Sequence, residues 1–342
     1  GGDLNWDYRY CWLRDASFTI QSLLTLNLKN EAKAFVNWLL HATSLTRPEL
    51  KVLYDVYGRH PPRERVLKDI QGYGGSRPVR LGNAAFDQKQ LDLYGEVIYA
   101  AKMVLSEESR VDRETQKMLR GLGRFICDHW HEEDAGMWEI RGQKEHFTHS
   151  LLLCWVGLKA LRELNADHLL SLSVKEFNKI ITTQAEISKM IRKLSWNENL
   201  NSDAATLRGR DVDANLLLLS LYDFYSSMDF DMKSTYQRVR EHLSANEYLF
   251  YRNQNQKEGA FILCSFWAIE YLAKGGGTLA EAKNMFERVM NCANDLGLLS
   301  EEIDPTTKDL LGNFPLAFSH LGVMSAAIAI NKREKCFSED SK

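Results

Sequence analysis

Two glutamates stand in settings that suit opposite jobs. Glu139 lies in Gly136-Met137-Trp138-Glu139-Ile140-Arg141-Gly142, directly beside an indole. An apolar neighbour desolvates a carboxyl group and raises its pKa, as a general acid requires. Glu301 lies in Leu298-Leu299-Ser300-Glu301-Glu302-Ile303-Asp304, a polar loop with the Ser300 hydroxyl as a donor beside it. Such a loop keeps a carboxylate ionised, as a general base requires. Two such groups on opposite faces of a sugar, roughly 6.5–9.5 Å apart, leave room for an attacking water and hydrolyse a glycosidic bond. Taken singly, each glutamate reads equally as a solvated loop residue, and Glu302 competes with Glu301 for the base.

The opening segment carries a second signal. In Asn5-Trp6-Asp7-Tyr8-Arg9-Tyr10-Cys11-Trp12-Leu13-Arg14-Asp15, aromatic rings interleave with Arg and Asp side chains. Rings stack on the apolar faces of a pyranose, while guanidinium and carboxylate groups bond its hydroxyls. A core strand would not carry so many charges, since each needs a partner once out of water. A surface loop with its aromatics folded back is the plainer reading, and the residues alone leave both open. Arg77, in Gly74-Gly75-Ser76-Arg77-Pro78-Val79-Arg80, and Arg252, after Tyr251, are further candidates to clamp hydroxyls, against the commoner exposed arginine. Asp213 reads as a helix N-cap. Gly275-Gly276-Gly277 reads as a helix-ending turn, with no phosphate-loop Lys-Ser/Thr after it.

Composition narrows the class. The chain has 342 residues, 44% hydrophobic and 26% charged, with a net charge of −3. That is ordinary for a globular protein and argues against a nucleic-acid partner. No apolar run is long enough for a bilayer, and no signal-peptide pattern is present. The first residue is Gly, so a natural start upstream is expected. The six cysteines, Cys11, Cys127, Cys154, Cys264, Cys292 and Cys336, have spacings that fit neither a disulfide framework nor a metal site. They are expected to be free thiols in a reducing cytoplasm. His146 and His149 are three apart but lack a third ligand, so neither a metal nor a cofactor is expected. One of the two is expected to contact substrate or cap a loop.

Apolar residues recur at helical spacing almost throughout, and only 6 prolines interrupt. Stretches 16–26, 91–105, 147–161, 214–224, 260–272 and 314–330 are apolar nearly all round and should be buried. Stretches 31–45, 113–130, 174–194, 234–243 and 279–296 have one polar face and should lie outside. The two kinds alternate, which predicts an all-α (α/α)6 barrel of inner and outer helices over residues 1–331, with a tail at 332–342. Its first outer helix would lie upstream. A stacked superhelix is the competitor, but no fixed-period repeat supports it. Unusual residues gather in the segments before the inner helices, at 6–15, 72–90, 134–150, 207–213, 251–259 and 300–314. Chemistry is therefore expected at the N-terminal ends of the inner helices, where free N–H groups and the helix dipole favour carboxylates.

Together, segments 5–18, 72–96, 136–150, 258–267 and 300–320, in this order, resemble the catalytic domain of glycoside hydrolase family 15. That family holds glucoamylases, glucodextranases and some trehalases, and the likeness is to its bacterial and archaeal branch. The resemblance implies that Glu139, after Trp138, is the acid and that Glu301, after Ser300, is the base. It further implies that Arg14 and Asp15 hold a terminal glucose between Tyr8 and Trp12, with Arg252 as another substrate-binding residue. Inversion by single displacement follows from it, as does a β-sandwich domain upstream. The chain departs from relatives at Leu151, where His-Ser-Lys is common, and at Gly74-Gly75, where a fungal glucoamylase has a tryptophan.

These features imply hydrolysis of a non-reducing-end glucose from an α-glucan or oligosaccharide, releasing β-glucose. A trehalase is the nearest alternative, since only the leaving-group side would differ. A non-catalytic module like those in phosphorylase kinase subunits is the alternative from another class. Retention of both glutamates favours an enzyme with a saccharide partner and no nucleic-acid or membrane partner.

Overall fold

The computed structural model describes residues 5–254 and 258–339, with side chains to 336. Residues 255–257, inside the expected site segment 251–259, and 340–342, at the end of the expected tail, lie outside the described residues. The chain divides into two compact units, Gly1–Lys193 and Leu194–Lys342.

In the first unit, β1 (Cys11–Trp12) pairs antiparallel with β2 (Leu53–Tyr54), Cys11 opposite Tyr54 and Trp12 opposite Leu53. The chain runs straight from β1 into α1 (Leu13–Thr25). The helix thus starts three residues before the expected position, and Arg14 and Asp15 stand in its first turn rather than in a loop. An acidic residue there complements the positive end of the helix dipole. Next come α2 (Lys29–Ala42) and the hairpin of β3 (Arg65–Leu67) with β4 (Val79–Leu81). The helices α3 (Asp92–Leu105), α4 (Arg113–His129), α5 (Thr148–Ala166) and α6 (Val174–Leu194) complete it.

Burial separates these helices as their sequences require. α3 buries Leu93, Tyr94, Val97, Ile98, Ala101 and Val104, and α5 buries most of its length. α4 buries a stripe of Met118, Leu119, Leu122 and Ile126 and leaves its basic side out, and α6 buries Ile180, Ile187 and Ile191. α3 packs on α1 and α5, and glycine sets how closely it meets α5. A Cβ on Gly95 would lie 1.9 Å from the Leu153 carbonyl oxygen, and one on Gly157 would lie 2.8 Å from the Gly95 Cα. No larger residue permits that approach. Asp134 ties the two helix starts together, accepting from the Leu91 N–H at 2.7 Å and the Ser150 Oγ–H at 2.8 Å.

The second unit begins with a short pair, β5 (Trp196–Asn197) and β6 (Ser202–Asp203). Stretch 214–224 is a correction to the expected continuous helix. It forms a 3-10 turn, Ala214–Leu217, then one turn of α7 (Leu218–Leu221), and ends where Asp223 takes a φ of 57°. Asp213 caps the turn, accepting from the Asn215 N–H at 2.9 Å, as its sequence position predicts. Then follow α8 (Phe230–Leu243), β7 (Ala260–Phe261) and α9 (Ile262–Tyr271), the last buried along almost its whole length. Gly275, at φ 110°, closes the turn after α9. α10 (Leu279–Met290) starts with a reciprocal Thr278–Glu281 capping box. β8 (Glu302–Ile303) sits between β7 and β9 (Leu310–Leu311), with Phe261 and Leu311 both opposite Glu302. α11 (Ala317–Glu339) packs on α9 and α10. It runs past the expected end at 330, so residues 332–339 continue a helix and no structural break falls at 332.

Candidate active site

In the first unit the centre is Glu139. It closes a turn opened by Gly136, and both take positive φ, 65° for Gly136 and 59° for Glu139. For a glutamate that conformation costs roughly 1–3 kcal/mol and persists only where the surroundings impose it. The Glu139 N–H donates to the Gly136 carbonyl at 3.3 Å, and Gln88 Nε2 donates to the Glu139 carbonyl at 3.1 Å. Held so, the side chain meets the β1–α1 junction. Trp12 Nε1–H donates to Glu139 Oε1 at 2.8 Å. Arg14 Nη1 lies 3.6 Å from the same oxygen and donates to the Met137 carbonyl at 2.5 Å, while Nη2 lies 3.1 Å from Asp15 Oδ2. The Tyr8 ring stacks on Trp12 at 5.1 Å.

Burial raises the Glu139 pKa, against the pull of Arg14 and the Trp12 hydrogen bond. The sequence thus foresaw the direction. The sequence reading drew it from the apolar surface of Trp138; the hydrogen bond that Trp12 gives the carboxyl is additional to that reading. Arg14 stays firmly charged despite its burial, held by the carboxylates of Asp15, Glu139 and Asp92.

These contacts join Trp12 and Arg14 to Glu139, with Asp15 on Arg14 and Tyr8 on Trp12. Arg77 is not joined in this way. It is exposed and donates to the Lys68 carbonyl at 2.7 Å, and no hydrogen bond or ion pair among the described residues joins it to Glu139. The nearby Arg80 and Arg141 guanidiniums instead both lie 4.2 Å from the Trp6 ring, and both contact Glu64. His149 is buried within α5, and His146 is half-buried before it. Among the described residues no group of three or more His, Cys, Asp or Glu could hold a metal ion.

The second unit gathers its carboxyls on the β7–β8–β9 sheet. Glu301 exchanges backbone bonds with its neighbours, its N–H donating to the Asn313 carbonyl at 2.9 Å and its carbonyl accepting from the Ile262 N–H at 3.1 Å. Its Oε2 accepts from Asn313 Nδ2 at 2.8 Å and from the Asn313 N–H at 3.2 Å. Two donors from one residue fix the orientation of this carboxyl group. Gly312 makes room, since a Cβ there would come within 2.9 Å of Glu301. The expectation that Ser300 serves Glu301 is corrected: Ser300 Oγ–H donates to the Glu302 carbonyl at 2.5 Å.

Glu302 behaves differently. Burial, then the charges of Glu258 and Glu301, push its pKa up to about 8, so it carries a proton at neutral pH. Its Oε2 accepts from the Gly259 N–H at 3.0 Å. A neutral Glu302 is poorly suited to serve as a base. Arg252 Nη2 donates to Glu258 Oε2 at 2.6 Å, and its guanidinium lies 5.5 Å from the Phe261 ring. The arginine expected to clamp substrate thus holds a carboxylate.

All six cysteines are free. No helix among the described residues is long and apolar enough to cross a membrane. The family model for glycosyl hydrolases family 15 matches residues 2–280 and 276–328, almost the whole chain. The chain belongs to glycoside hydrolase family 15.

Its family-15 relatives include a trehalase of Mycolicibacterium smegmatis, 31% identical over 98% of this chain and 51% of the relative. A trehalase of Thermoplasma volcanium is 33% identical over 96% of this chain and 52% of its own length. The chain thus spans about half the length of these curated relatives. A solved structure described as a wild-type glycosidase superposes with a TM-score of 0.76 at 16% identity, covering 94% of this chain and 88% of that one. The fold is accordingly the all-α (α/α)6 class expected from the alternating helices.

Three residues of this family-15 chain escaped the sequence reading. Asn313 and Glu258 lie beyond their partners by loop lengths that no periodicity fixes. Asp92 did leave a trace, as a lone carboxylate in the apolar run Leu91-Asp92-Leu93.

Proposed function

We propose that this family-15 chain is an inverting glycosidase whose substrate is trehalose. Glu139 gives its proton to the glycosidic oxygen, and Glu301 takes a proton from the water that attacks the anomeric carbon. The C–O bond breaks as the new one forms. The attacked ring leaves as β-glucose and the other as α-glucose, with no covalent intermediate. Arg14 and Asp15 bond the hydroxyls of the attacked ring, and Tyr8 and Trp12 supply apolar faces.

The observation that carries this reading is the contrast between the two carboxyls. Burial raises the Glu139 pKa, whereas Glu301 accepts from two Asn313 donors. Acid and base are told apart by such opposed environments. The sequence reading put the end of an α-glucan first and trehalose second. Both curated relatives described above carry the name trehalase, and that supports the reverse order. Free cysteines fit a reducing compartment such as the cytoplasm.

A panel of trehalose, maltose, maltotetraose and isomaltose, read by glucose release, tests the proposal. Trehalose should be cleaved fastest. Faster release from maltotetraose would restore the α-glucan reading, and a folded protein inert on all four would support the non-catalytic module.

A further inference from the structure

The turn that carries Glu139 is held at its far end by a cluster that the proposed reaction does not use. Residues 136–142 form this turn, and two backbone bonds of 3.0 Å between Asp134 and Glu145 close its base. Glycines in the left-handed region stand at both ends, Gly136 at φ 65° and Gly142 at 75°. From Gly142 to Glu145 the chain is exposed. Neither a glycine nor solvent restrains the backbone there, so a restraint on the end of the turn has to act before Gly142.

Arg141 supplies it. Its Nη1 and Nη2 donate in parallel to Glu64 Oε1 at 2.9 Å and Oε2 at 2.5 Å. The guanidinium lies 4.2 Å from the centre of the Trp6 ring, as does that of Arg80. Arg80 also reaches Glu64 at 3.8 Å and donates to the Asn5 carbonyl at 3.2 Å. The Glu64 side chain is 14% exposed and accepts once more, from the Ala84 N–H at 3.0 Å. An isolated exposed ion pair contributes little, but a bidentate pair tied into ring and backbone contacts fixes geometry. Ala84 opens the 3-10 turn Ala84–Asp87, and the next residue, Gln88, donates to the Glu139 carbonyl. One short run, 84–88, thus holds Glu139 through Gln88 and Arg141 through Glu64.

We propose that Arg141 is a positioning residue for the acid: its two-pronged hold on Glu64, with the Trp6 ring against the guanidinium, keeps Glu139 in its left-handed conformation and its carboxyl on the Trp12 indole. The proposal rests on the reading of Glu139 as the acid. A left-handed glutamate persists only where its surroundings impose it, and Arg141 meets fixed partners two residues along. Released from them, the turn relaxes and carries the carboxyl with it. About 1 Å of misplacement costs on the order of 10²-fold in rate.

Two substrates separate positioning from plain stability. Trehalose needs a proton on its departing oxygen, whereas α-glucosyl fluoride releases fluoride with little help. Arg141→Ala and Glu64→Gln should each lower kcat on trehalose by roughly 10–100-fold and change kcat on the fluoride by less than about threefold. Arg141→Lys keeps the charge without the planar fork, so it should fall between Arg141→Ala and the parent. Arg59→Ala removes another exposed arginine, bonded to Asp55 and set against Tyr57, and should leave both rates unchanged. The Trp12 indole N–H, followed by 1H–15N NMR and identified by its loss in Trp12→Phe, reads the geometry directly. Its resonance should move in the Arg141 and Glu64 variants and stay in Arg59→Ala. A fixed resonance in the folded variants overturns the proposal, as do equal losses on both substrates where Glu139→Gln spares the fluoride. If the resonance moves but Glu139→Gln harms the fluoride reaction as badly as that of trehalose, the positioning stands and the acid assignment fails instead.

Discussion

The Trp12 indole N–H donates to Glu139 Oε1, tying the last residue of β1 to the proposed acid at 2.8 Å. This bond favours the ionised carboxylate, while burial favours the protonated form and prevails. Trp12→Phe keeps a ring for Tyr8 to stack on and removes the donor. The Glu139 pKa should therefore rise. A neutral hydrogen bond is worth about 1 kcal/mol, so the basic limb of kcat/KM should move up by roughly 0.7 pH unit. A limb that stays fixed would mean that the indole N–H does not govern the acid.

Glu301 and its neighbour should separate cleanly. Glu301→Gln removes the proposed base and should lower kcat on trehalose by roughly 10²–10⁴, the usual range for a general base. Glu302→Gln replaces a carboxyl that is already neutral at pH 7 with another neutral group, so it should cost less than tenfold there. Equal losses would reassign the base. Asn313→Ala removes the side-chain donor that orients Glu301 and should lower kcat on trehalose, read by glucose release.

The helix contact that carries this site has its own test. At Gly95 an added methyl meets backbone, 1.9 Å from the Leu153 oxygen, whereas at Gly121 in α4 nothing lies within 4 Å. Gly95→Ala should destabilise by about 3 kcal/mol through overpacking. Gly121→Ala should instead stabilise by roughly 0.4–1 kcal/mol, because it restricts the unfolded chain at no steric cost. Denaturant titration of both variants reads the difference, and equal stabilities would remove the close-contact argument.

The sequence disclosed what depends on local pattern. The apolar periodicity of α3, α5 and α9 located them to within a few residues, because a helix buried on all sides must be apolar on all sides. It overran at 214–224, since a Leu run cannot say that a 3-10 turn and a left-handed Asp223 end it early. Trp12, Arg14, Asp15 and Glu139 were legible because charges next to rings are uncommon in apolar surroundings. Their bonding was not: which indole meets Glu139 depends on the turn at Gly136, and which group serves Glu301 depends on the β8–β9 hairpin that returns Asn313. The partners of Arg77 and Arg252 were equally hidden, since an arginine's reach lets it end on any nearby acceptor. The one took a carbonyl and the other a carboxylate.

The left-handed backbone of Glu139 sets activity against endurance. A φ of 59° is one that asparagine tolerates far better than glutamate. Glu139→Asn should relieve that conformation and also remove a buried carboxyl, so the inactivated protein is expected to melt at a higher temperature than the active one. Differential scanning calorimetry would read this directly, and a lower melting temperature would place the strain elsewhere. Selection for heat resistance alone would then erode catalysis at the proposed proton donor first, and a thermostable descendant that keeps Glu139 would have to gain its stability at other positions.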